Sequence, residues 1–399
     1  HGLLGKFADG DTVKASPQWQ LKCAEWELQL EILRGAKRPE MAAAREKWRQ
    51  AMRKAFSSEV DDLLAEYHGN ADDVPDELLK ALSRRHGCEN PEAALHLAQK
   101  CRNRGQAGEM VAALMPFAYA SLVSPSPEQL AQAAKMLETP LNIPEDMKTR
   151  AAFLANALEI RGMLEEGEGA RPAPPALGKA VDALATLQRE IDAGRRGGWY
   201  QEHLTSLYIA MGAIRMDDPA LAISAAEKCL AQSPHNARAA RLLRALGGDA
   251  APPDHESAGS DDAPPLSMLA PGVLLRSVAL KAPPQNDLSM PLEAQLHLEC
   301  LGTVPQSGKV LVALEDARGV FAHKTIPFSA GGRNPLRWKD GETTVLSCVF
   351  DLPLVAQIQT HGKAEPYFEN IFVSISAAPD HGRNAWGQIP PVLLHAYPR

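Results

Sequence analysis

The spacing of apolar residues changes at one acidic stretch of the chain, and this change constrains the fold more than any other feature. Residues 247–265, GGDAAPPDHESAGSDDAPP, contain no Lys, no Arg and no bulky apolar residue. Such a segment cannot bury enough surface to offset the entropy that ordering it would cost. Before it, apolar residues recur at helical spacing, and after it they alternate. We therefore predict an α-helical domain at 1–247, an acidic linker at 248–268 that lets the domains move, and a β domain at 269–399.

The helical part is predicted to contain ten or eleven helices, mostly in antiparallel pairs. Ser16 and Pro17 mark the start of the first helix, as an N-cap residue followed by a proline at the first helical position. Further on, prolines and glycines separate segments whose apolar residues recur at helical spacing. Such an array of helical hairpins is typical of an α-solenoid, which presents a concave surface to a partner.

The clearest helical pair lies at 202–246. Its apolar residues predict two short helices joined by a turn at Asp217–Pro219. A third helix is predicted to begin after Pro234, because proline cannot continue the second one. Small residues such as Ala222 and Ala226 allow the two helices to approach closely. This stretch resembles a tetratricopeptide repeat, a unit of about 34 residues that stacks on its neighbours to bury its apolar face.

The resemblance covers one clear repeat, at about 203–240, and this chain departs from the family pattern in several places. Ser206 and Ala213 stand where aromatic residues are commonest in the first helix, and Asp217 stands where the turn glycine is usual. Met211 takes the place of the asparagine with which some repeat families grip a carboxy-terminal carboxylate. The resemblance therefore implies a helical array that binds a protein or peptide partner, without that mode of carboxylate recognition.

After the linker, alternation with a period of two predicts seven strands, separated by turn signals such as Asp340-Gly341. The predicted strands are Val273–Lys281, Leu292–Leu301, Lys309–Glu315, Gly319–Ile326, Thr343–Phe350, Tyr367–Ser376 and Pro391–Ala396. Short strands without helices between them are typical of an antiparallel β-sandwich. No cysteine–tryptophan–cysteine pattern supports a true immunoglobulin domain. The predicted fold class is therefore an all-α, TPR-like helical-hairpin array followed by a C-terminal antiparallel β-sandwich.

Charge and cysteine usage argue against several classes of protein. A net charge of −7 argues against nucleic-acid binding, which usually needs a basic face. No apolar run of about eighteen residues occurs, so no membrane span is predicted. The six cysteines form no Cys-x-x-Cys pair, which is typical of a reducing compartment. A cytoplasmic location is expected, while a chain that begins at His1 rather than Met leaves open whether a signal peptide was removed.

The sequence offers little for metal binding or catalysis. The best metal candidates are His86, Cys88, His96 and Cys101. Their spacing is not that of a standard zinc site, because His96 and Cys101 lie five positions apart on a helix and do not share a face. No Gly-x-Ser-x-Gly nucleophile motif and no Gly-x-x-x-x-Gly-Lys-Ser/Thr phosphate loop occurs. We therefore predict no catalytic residue, no metal and no cofactor.

Aromatic and basic residues in loops of the β domain form a candidate ligand rim. Aromatic rings stack on the apolar faces of a sugar or peptide, and Arg side chains orient polar groups. The candidate rim residues are Trp338, Arg333, Arg337, Trp386 and Arg383. In the alternative interpretation, which we prefer, Trp338 and Trp386 pack over the core of the sandwich.

These observations lead to three functional hypotheses. The leading one is a non-enzymatic scaffold or adaptor whose helical domain binds a protein or peptide partner, because a helical array occurs without a catalytic motif. The second is a carbohydrate-binding accessory protein whose β domain holds a glycan. The third is an enzyme with its site at the domain interface. The leading hypothesis includes no nucleic-acid partner and no membrane span.

Overall fold

The computed structural model of the chain shows a helical region followed by a region of strands. The residues that the structure describes are 16–33, 38–83, 90–120, 124–138, 142–165, 175–248, 267–281, 291–302, 307–316, 319–332, 334, 337–351, 370–379 and 387–396. Most of the predicted linker and the segment Val355–Thr360 lie outside these ranges. None of the helices within the ranges is both long and apolar enough to cross a membrane.

Eleven α-helices occur in the described part of the chain, in agreement with the ten or eleven predicted. They are α1 Pro17–Leu33, α2 Arg38–Glu66, α3 Asp76–Ser83, α4 Pro91–Asn103, α5 Ala107–Leu114, α6 Pro127–Glu138, α7 Glu145–Glu165, α8 Pro175–Asp192, α9 His203–Arg215, α10 Pro219–Gln232 and α11 Ala237–Ala245. A short 3-10 helix, Met115–Ala118, follows α5.

Local sequence sets the starts of several helices. The side chain of Asn90 caps α4 by accepting hydrogen bonds from two backbone N–H groups of the first turn, at 3.1 and 3.2 Å. Pro91 then occupies the first helical position, where no N–H is needed. Asp218 and Asn236 cap α10 and α11 in the same way, each accepting one N–H at 3.0 Å.

Neighbouring helices pack on one another along the chain. From α6 to α11, each helix contacts the next, and α4 contacts α5. Their buried apolar residues belong to one core that extends from Val74 to Leu243. A second, smaller cluster joins α1 to α2 through Leu21 and Phe56. The helical region is therefore an array in which most contacts join consecutive elements.

The turn between α9 and α10 lies where the sequence predicts it, at Asp217–Pro219. Asp217 has a φ of +60°, in the left-handed region that favours glycine and that Asp tolerates better than most residues. The usual turn glycine is therefore replaced by a residue that still adopts the conformation. Gly212 on α9 has a different role, because a Cβ there would collide with Val181 of α8. It allows α9 and α8 to pack closely.

Eight strands form two four-stranded antiparallel sheets in the described part of the chain. The strands are β1 Ser267–Ala270, β2 Val273–Lys281, β3 Leu292–Cys300, β4 Gly308–Asp316, β5 Gly319–Pro327, β6 Thr343–Phe350, β7 Asn370–Pro379 and β8 Gly387–Ala396. One sheet has the order β1-β2-β3-β6 and the other β5-β4-β7-β8. Strands β2 and β6 have the predicted bounds. Strand β1 was not predicted, because four residues are too few for alternation to show.

Buried apolar residues of both sheets belong to one core. Leu296 and Leu298 contribute from β3, and Val310 and Val312 contribute from β4. Trp338, from the loop before β6, lies in the same cluster. The broad prediction of a helical region followed by antiparallel strands is therefore confirmed.

Candidate functional site

A turn of the strand region, Trp338–Glu342, contacts the helical region and is called the junction turn below. Its Asp340 is 0% exposed. Gly341 has a φ of +81°, and a Cβ at this position would lie 2.8 Å from the side-chain nitrogen of Asn236. Both the backbone conformation and the close approach therefore require glycine.

Side chains of the helical region hold the backbone of Asp340 from both sides. Its N–H donates a hydrogen bond to Gln201 Oε1 at 3.0 Å. Its carbonyl accepts one from His203 Nε2 at 3.0 Å and another from Asn236 Nδ2 at 2.9 Å. Gln201 lies just before α9, His203 is the first residue of α9, and Asn236 caps α11. The repeat-like unit α9–α11, with the residues just before it, therefore supplies all three groups.

The carboxylate of Asp340 joins the helical region to the strands. Both of its oxygens accept the Ala120 N–H, each at 3.2 Å, and Oδ1 also accepts the Gly302 N–H at 2.7 Å. A guanidinium nitrogen of Arg238 lies 4.0 Å from Oδ2. Because a buried charge is costly unless it is paired and hydrogen-bonded, these contacts explain why the fold tolerates a carboxylate here.

Further hydrogen bonds extend the junction along α10 and α11. The pairs are Lys339 Nζ with the Gln232 carbonyl (2.6 Å), Ser233 Oγ with Glu342 Oε1 (2.9 Å), the Ala237 N–H with the Gly341 carbonyl (2.9 Å) and the Thr343 N–H with the His235 carbonyl (3.1 Å). Donors therefore come from both regions. This contact runs against the prediction that the two domains move relative to each other.

One sheet also contacts the helical region beside the junction turn. Leu274 and Leu301 form an apolar cluster with Ala120. Glu299, which lies opposite Leu274 in the β2–β3 register, is 1% exposed and forms an ion pair with Arg276. Apolar side chains of the two regions therefore pack together beside the junction turn.

Burial shifts the pKa of two groups at the junction. It raises the pKa of Asp340, and this rise is opposed by Arg238 and by the backbone donors. It lowers the pKa of His203 to about 4, so the imidazole is neutral at pH 7. The Nε2 atom of His203 carries the proton that it donates to Asp340, while Nδ1 has no hydrogen-bond partner among the described residues. A second proton would place an unpaired charge in the interior.

The junction holds two regions together and is closed to solvent. Asp340, His203 and Asn236 are each 0% exposed. The third hypothesis expected a site between the domains, and titratable groups of both regions do meet here. Because these groups are buried and already engaged with one another, the arrangement is suited to a permanent contact.

A separate cleft lies within the helical region, between α2 and the starts of α4 and α6. It has a volume of about 210 Å³. Its lining residues are Arg53, Phe56, Ser57, Asn90, Pro91, Glu92, Ser124, Ser126 and Gln129. Asn90 fixes one wall, because its Nδ2 donates to the Phe56 carbonyl at 3.3 Å while its Oδ1 caps α4. The cleft, unlike the junction, presents charged side chains to solvent.

The structure describes part of the predicted ligand rim. Trp338 is 3% exposed and packs against Phe328, with ring centroids 6.0 Å apart. Trp338 therefore belongs to the core, as in the interpretation that we preferred above. The prediction that it lies on a solvent-facing ligand rim is corrected. Arg337 is exposed, and Arg333, Arg383 and Trp386 lie outside the described residues.

The structure likewise describes only some of the four candidate metal ligands. His96 and Cys101 lie on α4, with Cys101 buried, while His86 and Cys88 lie outside the described residues. Burial raises the pKa of Cys101, which disfavours the thiolate that a metal needs. Within the ranges that the structure covers, no group of three or more His, Cys, Asp or Glu residues is placed to hold a metal ion.

Comparison with known proteins yields one distant likeness. No protein-family model and no curated protein matches this chain. Among solved structures, the chain is similar to the alkylpurine DNA glycosylase AlkC of Pseudomonas fluorescens, bound to DNA that contains an abasic-site analogue. The two are 16% identical, 94% of this chain and 97% of that chain are covered, and the TM-score is 0.21. A likeness with this TM-score carries no argument about the fold or activity of this chain.

The same comparison runs against several sequence-based predictions. The matched protein is a DNA glycosylase bound to DNA, whereas the sequence predicted a non-enzymatic adaptor with no nucleic-acid partner. Those predictions, together with the protein, peptide and glycan partners, have no support among the known proteins compared and are withdrawn. A net charge of −7 averages over the whole surface and says nothing about one face. The absence of short catalytic motifs does not exclude an enzyme either, because catalytic groups can come from distant parts of a chain.

Sequence reasoning missed the junction. The pair Asp340-Gly341 was recognised only as a turn signal between strands, and it does form a turn. The helical partners of Asp340 lie between 104 and 220 positions away in the chain. No local pattern points to such contacts.

Proposed function

We propose that the repeat-like unit α9–α11 is an intramolecular docking platform that holds the strand region in a fixed orientation on the helical array. The observation that supports this proposal is the burial of Asp340. Its backbone and carboxylate contact Gln201, His203, Asn236 and Ala120. Separating them would leave several buried polar groups without partners, which is costly. The proposal differs from the withdrawn adaptor because both partners belong to the same chain.

The proposal also includes the type of helical unit, the arrangement of the two sheets and the limits of the domains. We propose that α9–α11 is a tetratricopeptide-like unit that uses its binding surface within the chain, and the packing of α8 to α11 in sequence supports this. We also propose that the two sheets, which share one apolar core, form a β-sandwich. The proposed domain limits are 1–247, 248–268 and 269–399, except that β1 begins at Ser267, two residues before the last of these domains. A cytoplasmic location is the one expected from the cysteine usage.

Small-angle X-ray scattering of the full chain tests the docking platform. We expect the wild-type protein to scatter as one compact particle. Gly341→Ala should open the junction, because the added Cβ would press on Asn236 at a position with a φ of +81°. The expected result is a larger radius of gyration with an unchanged far-ultraviolet circular dichroism spectrum.

Gly332→Ala is the matched control. Gly332 has a φ of +80°, but a Cβ there would meet no atom within 4 Å. Both variants place an alanine at nearly the same positive φ, which costs about 1–2 kcal/mol, and the Gly341 variant adds the contact with Asn236. Equal scattering profiles for the two variants would contradict the platform.

A further inference from the structure

The cleft between α2, α4 and α6 contains two charged side chains that no other described residue pairs with. Arg53 lies on α2 and is exposed, and Glu92 lies in the first turn of α4 and is half-buried. Neither side chain forms an ion pair or hydrogen bond with another residue in the described ranges, and the two do not pair with each other. Opposite charges that share one cavity without meeting leave room for a ligand that engages both.

The helix starts that border the cleft offer few backbone donors. Pro91 and Pro127 occupy first helical positions and have no N–H. Asn90 accepts the next two N–H groups of α4. On α6, Ser126 and Gln129 cap each other at 2.9 and 3.3 Å. A bare anion would therefore find little backbone to bind, so recognition falls to the side chains of the cleft.

The remaining lining sets the size and polarity of a ligand. Phe56 and Pro91 are buried lining residues that contribute apolar surface, and Ser57, four positions after Arg53 on α2, contributes a hydroxyl group. The volume of about 210 Å³ is below the roughly 300–1,000 Å³ of pockets for drug-sized ligands. The cleft therefore suits a compact molecule with a short apolar part.

We propose that this cleft binds a small zwitterion of the α-amino-acid class. The ligand carboxylate would contact Arg53, its ammonium group would contact Glu92, and its apolar side chain would cover Phe56. A ligand with a carboxylate alone would meet repulsion from Glu92, and a ligand with an ammonium group alone would meet repulsion from Arg53. A zwitterion complements both charges. This inference depends on the cleft and is independent of the docking platform.

Titration of the full chain with L-leucine, followed by calorimetry and by NMR, tests the proposal. Two analogues isolate the charges: isocaproate lacks the ammonium group and isoamylamine lacks the carboxylate. We expect saturable binding of L-leucine and binding at least about tenfold weaker for each analogue, where tenfold corresponds to about 1.4 kcal/mol. Equal affinity for either analogue would overturn the proposal. So would the absence of saturable binding for all of L-leucine, L-serine and glycine.

A second experiment substitutes the two charged residues of the cleft and measures L-leucine binding again. Arg53→Gln and Glu92→Gln should each weaken L-leucine binding by about tenfold. Lys54→Gln is the matched control, because Lys54 is the next residue on α2, is exposed and does not line the cleft. We expect it to leave the affinity unchanged. An equal loss in all three variants would reveal a general charge effect and contradict the proposed site.

Discussion

The junction turn and the cleft are both polar, yet they differ in burial and in how their charges are satisfied. At the junction, Asp340 is 0% exposed, and its carboxylate accepts hydrogen bonds from Ala120 and Gly302. In the cleft, Arg53 is exposed and pairs with no other residue in the described ranges. Buried polar groups that are hydrogen-bonded to one another hold a fold together, whereas exposed charges contribute little to it. The comparison therefore separates residues that hold the chain from residues that remain available to a ligand.

The largest expected effect is at the junction. Asp340→Ala leaves two backbone N–H groups and Arg238 without the carboxylate. A buried donor left without its acceptor costs about 1–3 kcal/mol, and two donors lose theirs, so we expect a loss of about 2–6 kcal/mol in the free energy of unfolding. Urea denaturation at pH 7 measures it. The control is Asp62→Ala, an exposed residue on α2, which should change stability by less than about 0.5 kcal/mol. Similar losses in the two variants would show that buried Asp340 contributes no more to stability than an exposed aspartate.

The next effect is a dependence of stability on pH through His203. Its pKa of about 4 in the folded state lies below the ordinary value of 6.5, so between these values the unfolded state binds more protons. The stability contributed by neutral His203 is therefore complete above pH 6.5 and is lost as the pH falls towards 4. The full loss is on the order of 3 kcal/mol.

His203→Gln isolates this contribution, because glutamine keeps a donor for the Asp340 carbonyl but does not titrate. The raised pKa of Asp340 changes stability in the opposite direction, with more stability at lower pH, so wild type and variant are compared at each pH. We expect the variant to lose less stability than wild type between pH 6.5 and 4. Parallel pH profiles would show that His203 does not titrate as its burial indicates.

An intermediate effect is expected for the wall of the cleft. Asn90→Ala removes the cap of α4 and the hydrogen bond to the Phe56 carbonyl. The loss of an N-cap costs about 0.5–2 kcal/mol, so we expect a decrease of about 1–2 kcal/mol in the free energy of unfolding. Asn90→Asp keeps the capping oxygen and should recover most of it. Thermal unfolding of the two variants checks this, and equal losses would show that capping is not the cause.

The smallest effect is expected for the charge in the cleft. Arg53→Gln should change the free energy of unfolding by less than about 0.5 kcal/mol, because the side chain is exposed and forms no ion pair in the described structure. Urea denaturation measures this change. A loss of several kcal/mol would show that Arg53 stabilises the helical region, and the cleft would then resemble the junction.

Much of the secondary structure could be predicted from local sequence. The turn at Asp217–Pro219 and the strands Val273–Lys281 and Thr343–Phe350 lie where the sequence places them. Caps, prolines and alternation act over a few residues, so they can be read without the fold. Strand β1, Ser267–Ala270, was missed because it is defined by its pairing with β2 rather than by its own pattern. A strand of four residues is recognised through its pairing with a neighbouring strand and not from its own sequence.

The sequence by itself determined where most helices and strands begin and end, because those limits depend on residues close together in the chain. Only the tertiary structure decided which polar groups are buried together. Asp340-Gly341 looks like any exposed turn until His203 and Asn236, 137 and 104 positions away from Asp340, pack against it. The burial of Trp338 beneath the sheets has the same origin. Burial and pairing arise from contacts between distant segments, and no local pattern in this chain records them.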